Sequence, residues 1–374
     1  MCRYNCSQAF FLESSMDSGK LPGRKNKVIF IMGATGTGKT KLAVDLALHF
    51  NGEIINSDKM QVYDGLDIIT NKATLTERAG VPHHLLGGVP QTADFSAEDF
   101  RRDAILAVDS IISRGKLPII AGGSNSFIQA LVDGHDGLFR AKFELCFIWI
   151  DVELLVLFQF TGHRVDKMVE LGLVEEARGV FNIKDDDYTR GVRRAIGVSE
   201  FDKYFREENR VTDDQKAGIL AEAIEQVKVN ACKLVTSQLM KIERLRVESG
   251  WDVKRLDATG VFLKRGSPEF EGAWMEMVVK PALDIVSRFL DGENAQGRAP
   301  LARRLRDEEL RRKASCRQSG SGDLAASTRT KHDREVDGSC GHPQCNQNSV
   351  KSAFRAMLQF MLQQELQQLI SACF

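Results

Sequence analysis

Gly33-Ala34-Thr35-Gly36-Thr37-Gly38-Lys39-Thr40 decides how this chain is read. It follows the apolar run Val28-Ile29-Phe30-Ile31-Met32 and leads into Leu42-Ala43-Val44-Asp45-Leu46-Ala47, so a strand delivers the loop and a helix leaves it. The fixed positions are those of a complete phosphate-binding loop, a pattern that chance would produce in about one chain in a hundred of this length. Successive N–H groups around Gly36 and Gly38 form a concave anion nest at the positive end of the helix. Gly33, Ala34, Thr35 and Thr37 complete the cradle, and Lys39 meets the outer phosphate oxygens. The Thr40 hydroxyl, on the first helical turn, is placed to hold Mg²⁺. The chain is therefore expected to bind a diphosphate or a triphosphate.

Working outward, three more apolar runs read as buried parallel strands: Glu53 to Asn56, Leu117 to Ala121, and Cys146 to Val152. Helical periodicity separates them, clearest in Phe100, Ala104, Ile105, Val108, Ile111 and Ile112. Alternating strand and helix implies an α/β fold of the P-loop NTPase type, a parallel sheet flanked by helices. Such sheets bind ligands at the carboxyl ends of their strands. There the loop at Gly33, the segment Asn56-Ser57-Asp58-Lys59 and Gly122-Gly123-Ser124-Asn125 should converge. Ser124 and Asn125 are expected to hydrogen-bond substrate at a strand end.

Beyond Val152 the pattern is mainly helical. Val165, Met168, Val169, Leu173, Val174, Ala177 and Phe181 share one face with Arg164 beside it, and a longer stripe runs from Ile219 to Leu245. The expected organisation is an N-terminal extension at 1–26, a P-loop core at 27–152, a helical part completing the substrate site at 153–290, a disordered linker at 291–349 rich in Gly, Ser, Arg, Asp and Gln, and an amphipathic helix at 350–374. The extension reads as either a short organelle transit segment or a plain tail, so plastid and cytoplasm are both open.

Composition narrows the classes. At 374 residues and 43% apolar content the chain can bury a large core. Lys plus Arg and Asp plus Glu are equal at 51 each, which lacks the positive excess of a protein whose affinity comes from nucleic-acid phosphates. The longest apolar stretch, Leu145 to Phe160, is interrupted by Asp151 and Glu153 and is too short to span a bilayer as a helix. Eight cysteines without regular spacing point to reduced thiols, and the Cys340–Cys345 pair fits no common zinc spacing.

A phosphate-binding loop alone permits kinases, hydrolases and transferases, so Asp58 becomes the discriminating residue. It ends the strand after the loop's helix and points its carboxylate into the phosphate crevice. Either it orders a metal ion or it takes a proton from an incoming nucleophile.

Several segments together resemble the plant adenylate isopentenyltransferases and, more distantly, the tRNA dimethylallyltransferases. They are Ile31 to Lys39, Ile54 to Lys59, Gly80-Val81-Pro82-His83-His84-Leu85-Leu86-Gly87, Pro118 to Ser126, Arg164 to Met168, Arg194-Ala195-Ile196-Gly197 and Leu256 to Thr259, spread from about Lys27 to about Leu290. The resemblance implies that the loop grips the diphosphate of dimethylallyl diphosphate, that Asp58 draws a proton from the adenine N6 amine, and that Lys39 with Mg²⁺ on Thr40 stabilises the departing diphosphate. The acceptor would be free ATP, ADP or AMP. The alternative is an anticodon-loop adenine of tRNA, and a small-molecule kinase ranks below both. Arg164, Arg193 and Arg194 suit further phosphate contacts, since no acidic residue adjoins the Arg193-Arg194 pair in sequence. His83 and His84 carry no implied metal role. Two departures stand out: Ser237 precedes Gln238 where the resemblance implies an Arg, and the chain after about Leu290 matches nothing in that family.

Overall fold

The computed structural model describes residues 25–292. The expected linker at 291–349 apart from its first two residues, the terminal helix at 350–374, and nearly all of the N-terminal extension lie outside the described residues, and Asp291 ends the helix Lys280–Asp291.

Six parallel strands form one sheet in the order β3-β2-β4-β1-β5-β6: β1 Asn26–Met32, β2 Gly52–Asn56, β3 His83–His84, β4 Leu117–Ala121, β5 Phe143–Asp151 and β6 Val253–Asp257. β1 lies between β4 and β5, with Phe30 opposite Ile120 on one side and Phe147 on the other. Val28 to Met32 are fully buried, as a central parallel strand covered by helices on both faces requires.

The four strands read from apolar runs are all present. The fourth is displaced: β5 begins at Phe143 and ends at Asp151, because pairing with Asn26 to Met32 carries the ladder back past Leu145, and Val152 already leaves the sheet. The two edge strands were not legible. β3 is two residues long, and β6 carries exposed Lys254, Arg255 and Asp257 around the buried Leu256. β6 belongs to the stretch expected to be helical, so the sheet draws on both parts of the chain.

Three neighbouring strands, β2, β4 and β1, deliver Ser57-Asp58, Gly122-Gly123 and Gly33 to one edge. The ladder continues past the strands, with the Ser57 N–H donating to the Ala121 carbonyl at 2.9 Å and the Ser124 N–H to the Ser57 carbonyl at 3.1 Å. Gly122 is required here, since a Cβ would lie 2.4 Å from the Ser57 carbonyl carbon. Over this edge lie two helices. One is Leu154–Glu170, capped by the Glu153 carboxylate. The other is Asp213–Val247, 35 residues long and started by a Thr212/Gln215 capping box.

Candidate active site

The loop after β1 is held by its own residues. Thr37 Oγ1 and Lys39 Nζ both donate to the Ala34 carbonyl, at 2.9 and 2.7 Å. Gly38 has φ 89°, and a Cβ there would lie 2.7 Å from the Trp274 ring, so glycine is required by both backbone and packing. Trp274 is fixed in turn by donating from its indole N–H to Asp45 at 2.9 Å, in the helix Lys39–Phe50.

At the sheet edge lies a cavity of about 400 Å³, lined by Thr35, Asp58, Ser124, Asn125, Arg164 and Arg194 among the residues expected from sequence. Asp58 is anchored through Oδ1, which accepts from the Met60 N–H at 2.9 Å. Its other oxygen faces Gly123. Arg164 donates to Thr35 Oγ1 at 2.9 Å, while its Nε is buried without a partner. Burial lowers the proton affinity of two cations beside this carboxylate. Lys39 falls to about 8, with Asp58 pulling it up and Arg164 pushing it down, and Arg164 falls to about 10 with the Asp58 charge opposing the drop. Asp58 is therefore a carboxylate flanked by two desolvated cations, an arrangement typical of a reaction site.

The structure distributes the other expected residues differently. Gly33, Ala34, Gly36, Thr37, Gly38 and Lys39 form the loop and its first turn but do not line the cavity. Thr40 is exposed and opens instead onto an adjoining groove of about 680 Å³, which shares Asn71 and Met168 with the cavity. Arg193 is turned away: it binds the Asp185 carboxylate, donates to the Asp185 carbonyl at 2.8 Å, and stacks 4.5 Å over Tyr188. The acid absent beside it in sequence is supplied from eight residues upstream. Arg194 stays at the cavity, donating to the Tyr63 hydroxyl at 2.8 Å.

Among the cavity residues not assigned to the site from sequence are Gln238, Lys59 and Lys241. Gln238 is buried and bridges the site, accepting from the Thr35 N–H at 2.7 Å and donating to the Gly123 carbonyl at 2.9 Å, while its own carbonyl accepts from Asn125 at 3.1 Å. Its signal was a lone amide on the apolar stripe of a long helix. Lys59 has its proton affinity lowered by burial and then by Arg194 and Lys241. Ser237 lines the cavity, and Lys241, one turn further, supplies a cation to the same space. His83 and His84 serve the sheet: His83 Nδ1 meets the Val81 carbonyl, and His84 Nε2 lies 2.7 Å from the buried Glu53 carboxylate.

A strand–loop–helix phosphate cradle beside a carboxylate-bearing cavity defines a phosphate-handling enzyme of the P-loop class. The IPP transferase family model matches residues 61–141 and 134–243. Adenylate isopentenyltransferase 3, chloroplastic, of Arabidopsis thaliana is 51% identical over 269 residues, covering 72% of this chain and 80% of that protein. Adenylate isopentenyltransferase 5, chloroplastic, of the same plant is 53% identical over 71% and 81% of the two chains. The adenylate isopentenyltransferase of Humulus lupulus is 44% identical over 70% and 89%. Among solved structures, a eukaryotic dimethylallyltransferase acting on tRNA superposes with a TM-score of 0.60 at 26% identity, covering 74% of this chain and 83% of the other. The tRNA isopentenylpyrophosphate transferase of Bacillus halodurans gives 0.56 at 26% identity, over 72% and 100%. The chain belongs to the IPP transferase family, among its adenylate isopentenyltransferases.

Proposed function

We propose that this chain transfers the dimethylallyl group of dimethylallyl diphosphate to N6 of the adenine of AMP, ADP or ATP, as a prenyltransferase of cytokinin synthesis. The observation that carries it is the position of Asp58, which lines the cavity with one oxygen pinned to Met60 and the other turned to Gly123, near enough for its charge to act on the cations Lys39 and Arg164. The C1–O bond of the allylic diphosphate breaks as the C1–N6 bond forms. The N6 proton passes to Asp58, and the diphosphate leaves into the cradle. An exocyclic amine is a weak nucleophile, so a base at this point supplies what the acceptor lacks. Lys39 and Arg164 oppose the charge that grows on the leaving oxygens.

Asn125, 2% exposed, has its Oδ1 buried without a partner, an acceptor suited to a ligand N–H. Thr40, which opens onto the groove adjoining the cavity, would be the protein donor for Mg²⁺. Among the described residues no three His, Cys, Asp or Glu side chains gather to cage a metal. Bound at Thr40, Mg²⁺ would neutralise charge on the diphosphate. The equal numbers of acidic and basic residues favour a free nucleotide over a long phosphate backbone. No helix among the described residues is long and apolar enough to cross a membrane. The plastid reading of the N-terminal stretch rests on relatives whose names carry the word chloroplastic.

The test supplies dimethylallyl diphosphate and Mg²⁺ with AMP, ADP, ATP or unmodified tRNA and identifies products by mass. A prenylated free nucleotide supports the proposal. Product with tRNA alone favours the tRNA reading that the structural relatives represent, and phosphoryl transfer without prenyl uptake refutes both. Asp58→Asn should lower kcat by ~10²–10⁴-fold with inorganic pyrophosphate bound as before. Unchanged turnover removes Asp58 from the role of base.

A further inference from the structure

One cation at the rim of the phosphate cradle has no part in the site described above. Arg265 follows the short helix Thr259–Phe262, in a turn completed by Gly266. Its guanidinium stacks over the Phe160 ring, 3.9 Å from the centroid, and lies 5.9 Å from the Phe270 ring. Among the described residues it makes no ion pair and no hydrogen bond. Phe160 itself closes on the cradle, since a Cβ at Gly36 would lie 3.2 Å from its ring edge. One turn further along the same helix, Arg164 holds Thr35. Phe160 and Arg164 are thus an i, i+4 pair standing against consecutive residues of the loop. Arg265 is near enough to Arg164 to lower its proton affinity.

An arginine stacked on a ring keeps its in-plane N–H donors free. Here the stack holds the guanidinium plane over Phe160, beside the loop whose amides form the anion nest, and no carboxylate among the described residues neutralises it. Burial lowers the proton affinity of Arg265, and the Arg265 charge in turn lowers that of Arg164.

We propose that Arg265, positioned by Phe160, is a further binding residue for the diphosphate, closing the cradle beside Gly36 and holding the leaving group as its charge grows. This rests on the diphosphate reading of the cradle given above. The Phe160 ring sets the orientation of the guanidinium, and Arg265 supplies charge and hydrogen bonds that the loop amides do not.

The test measures binding of inorganic pyrophosphate and, separately, of AMP to the full chain by titration calorimetry. Arg265→Met keeps an apolar stem on Phe160 and removes the charge. Arg265→Lys keeps the charge. The Met variant should bind pyrophosphate about tenfold more weakly, the Lys variant within about threefold of the parent, and both should bind AMP as the parent does. Undiminished pyrophosphate binding by Arg265→Met overturns the proposal, as does an equal loss for both ligands, or a Lys variant as weak as the Met one with an unchanged melting temperature. A parent chain that binds no pyrophosphate overturns the diphosphate reading itself, which is a separate result.

Discussion

Gln238→Leu tests whether one amide sets the shape of the site. Its side chain joins the phosphate loop to the turn after β4 through Thr35 and Gly123, and its carbonyl steadies Asn125. Leucine preserves the volume and removes both side-chain bonds. The buried Gly123 carbonyl would lose one of its two donors and keep the Asn125 N–H at 3.1 Å, at a cost of ~1 kcal/mol. The Thr35 N–H borders the cavity, where water can take over, so its loss adds under ~1 kcal/mol. The sum is ~1–2 kcal/mol, which for a unit of this size lowers the melting temperature by ~2–6 °C. Released from Gln238, the loop also loses its registry with Asn125 and Asp58, and the KM for dimethylallyl diphosphate should rise more than kcat falls. Thermal melts and steady-state kinetics on the same preparation read both effects. A variant that melts within ~1 °C of the parent and keeps its KM would refute the bridging role.

Lys39 gives a pH prediction. Its proton affinity stands at about 8 in the free protein, so the ammonium is lost as pH rises through that value and the grip on diphosphate weakens. The quotient kcat/KM for dimethylallyl diphosphate should therefore fall on the alkaline side of about 8, and Lys39→Arg should remove that limb, because guanidinium stays charged. An identical limb in both proteins would show that another group titrates. Gly122→Ala forces a Cβ to 2.4 Å from the Ser57 backbone and should destabilise by ~2–3 kcal/mol, whereas Gly218→Ala, in open space on the long helix, should stabilise by ~0.5–1 kcal/mol in parallel melts. Equal shifts for the two would contradict the close approach of the strand ends.

The sequence made the centre of the molecule legible and its margins obscure. β1 to the helix Lys39–Phe50 could be read because local pattern, glycine positions and apolar run agree. Asp58 could be read because a polar residue ending a buried strand has few other places to point. β6 could not, since its exposed Lys254, Arg255 and Asp257 form no apolar run and its place is set by pairing with β5. Gln238 belongs to a 35-residue helix whose pattern shows only that one face is buried, and the bonds to Thr35 and Gly123 span 203 and 115 residues. Arg193 misled because charge neutralisation was sought beside it, while a turn brings Asp185 back onto it.

The strands at the two ends of the sheet have a bearing on how the chain survives its own folding. A parallel sheet closes over distant segments and exposes unpaired backbone while it does so. At one end β3 offers a newcomer only two residues to match. At the other, β6 meets it with the exposed charges of Lys254, Arg255 and Asp257. Among the described residues neither rim is a ready template for a foreign strand, which protects the half-assembled protein from polymerising through its flanks.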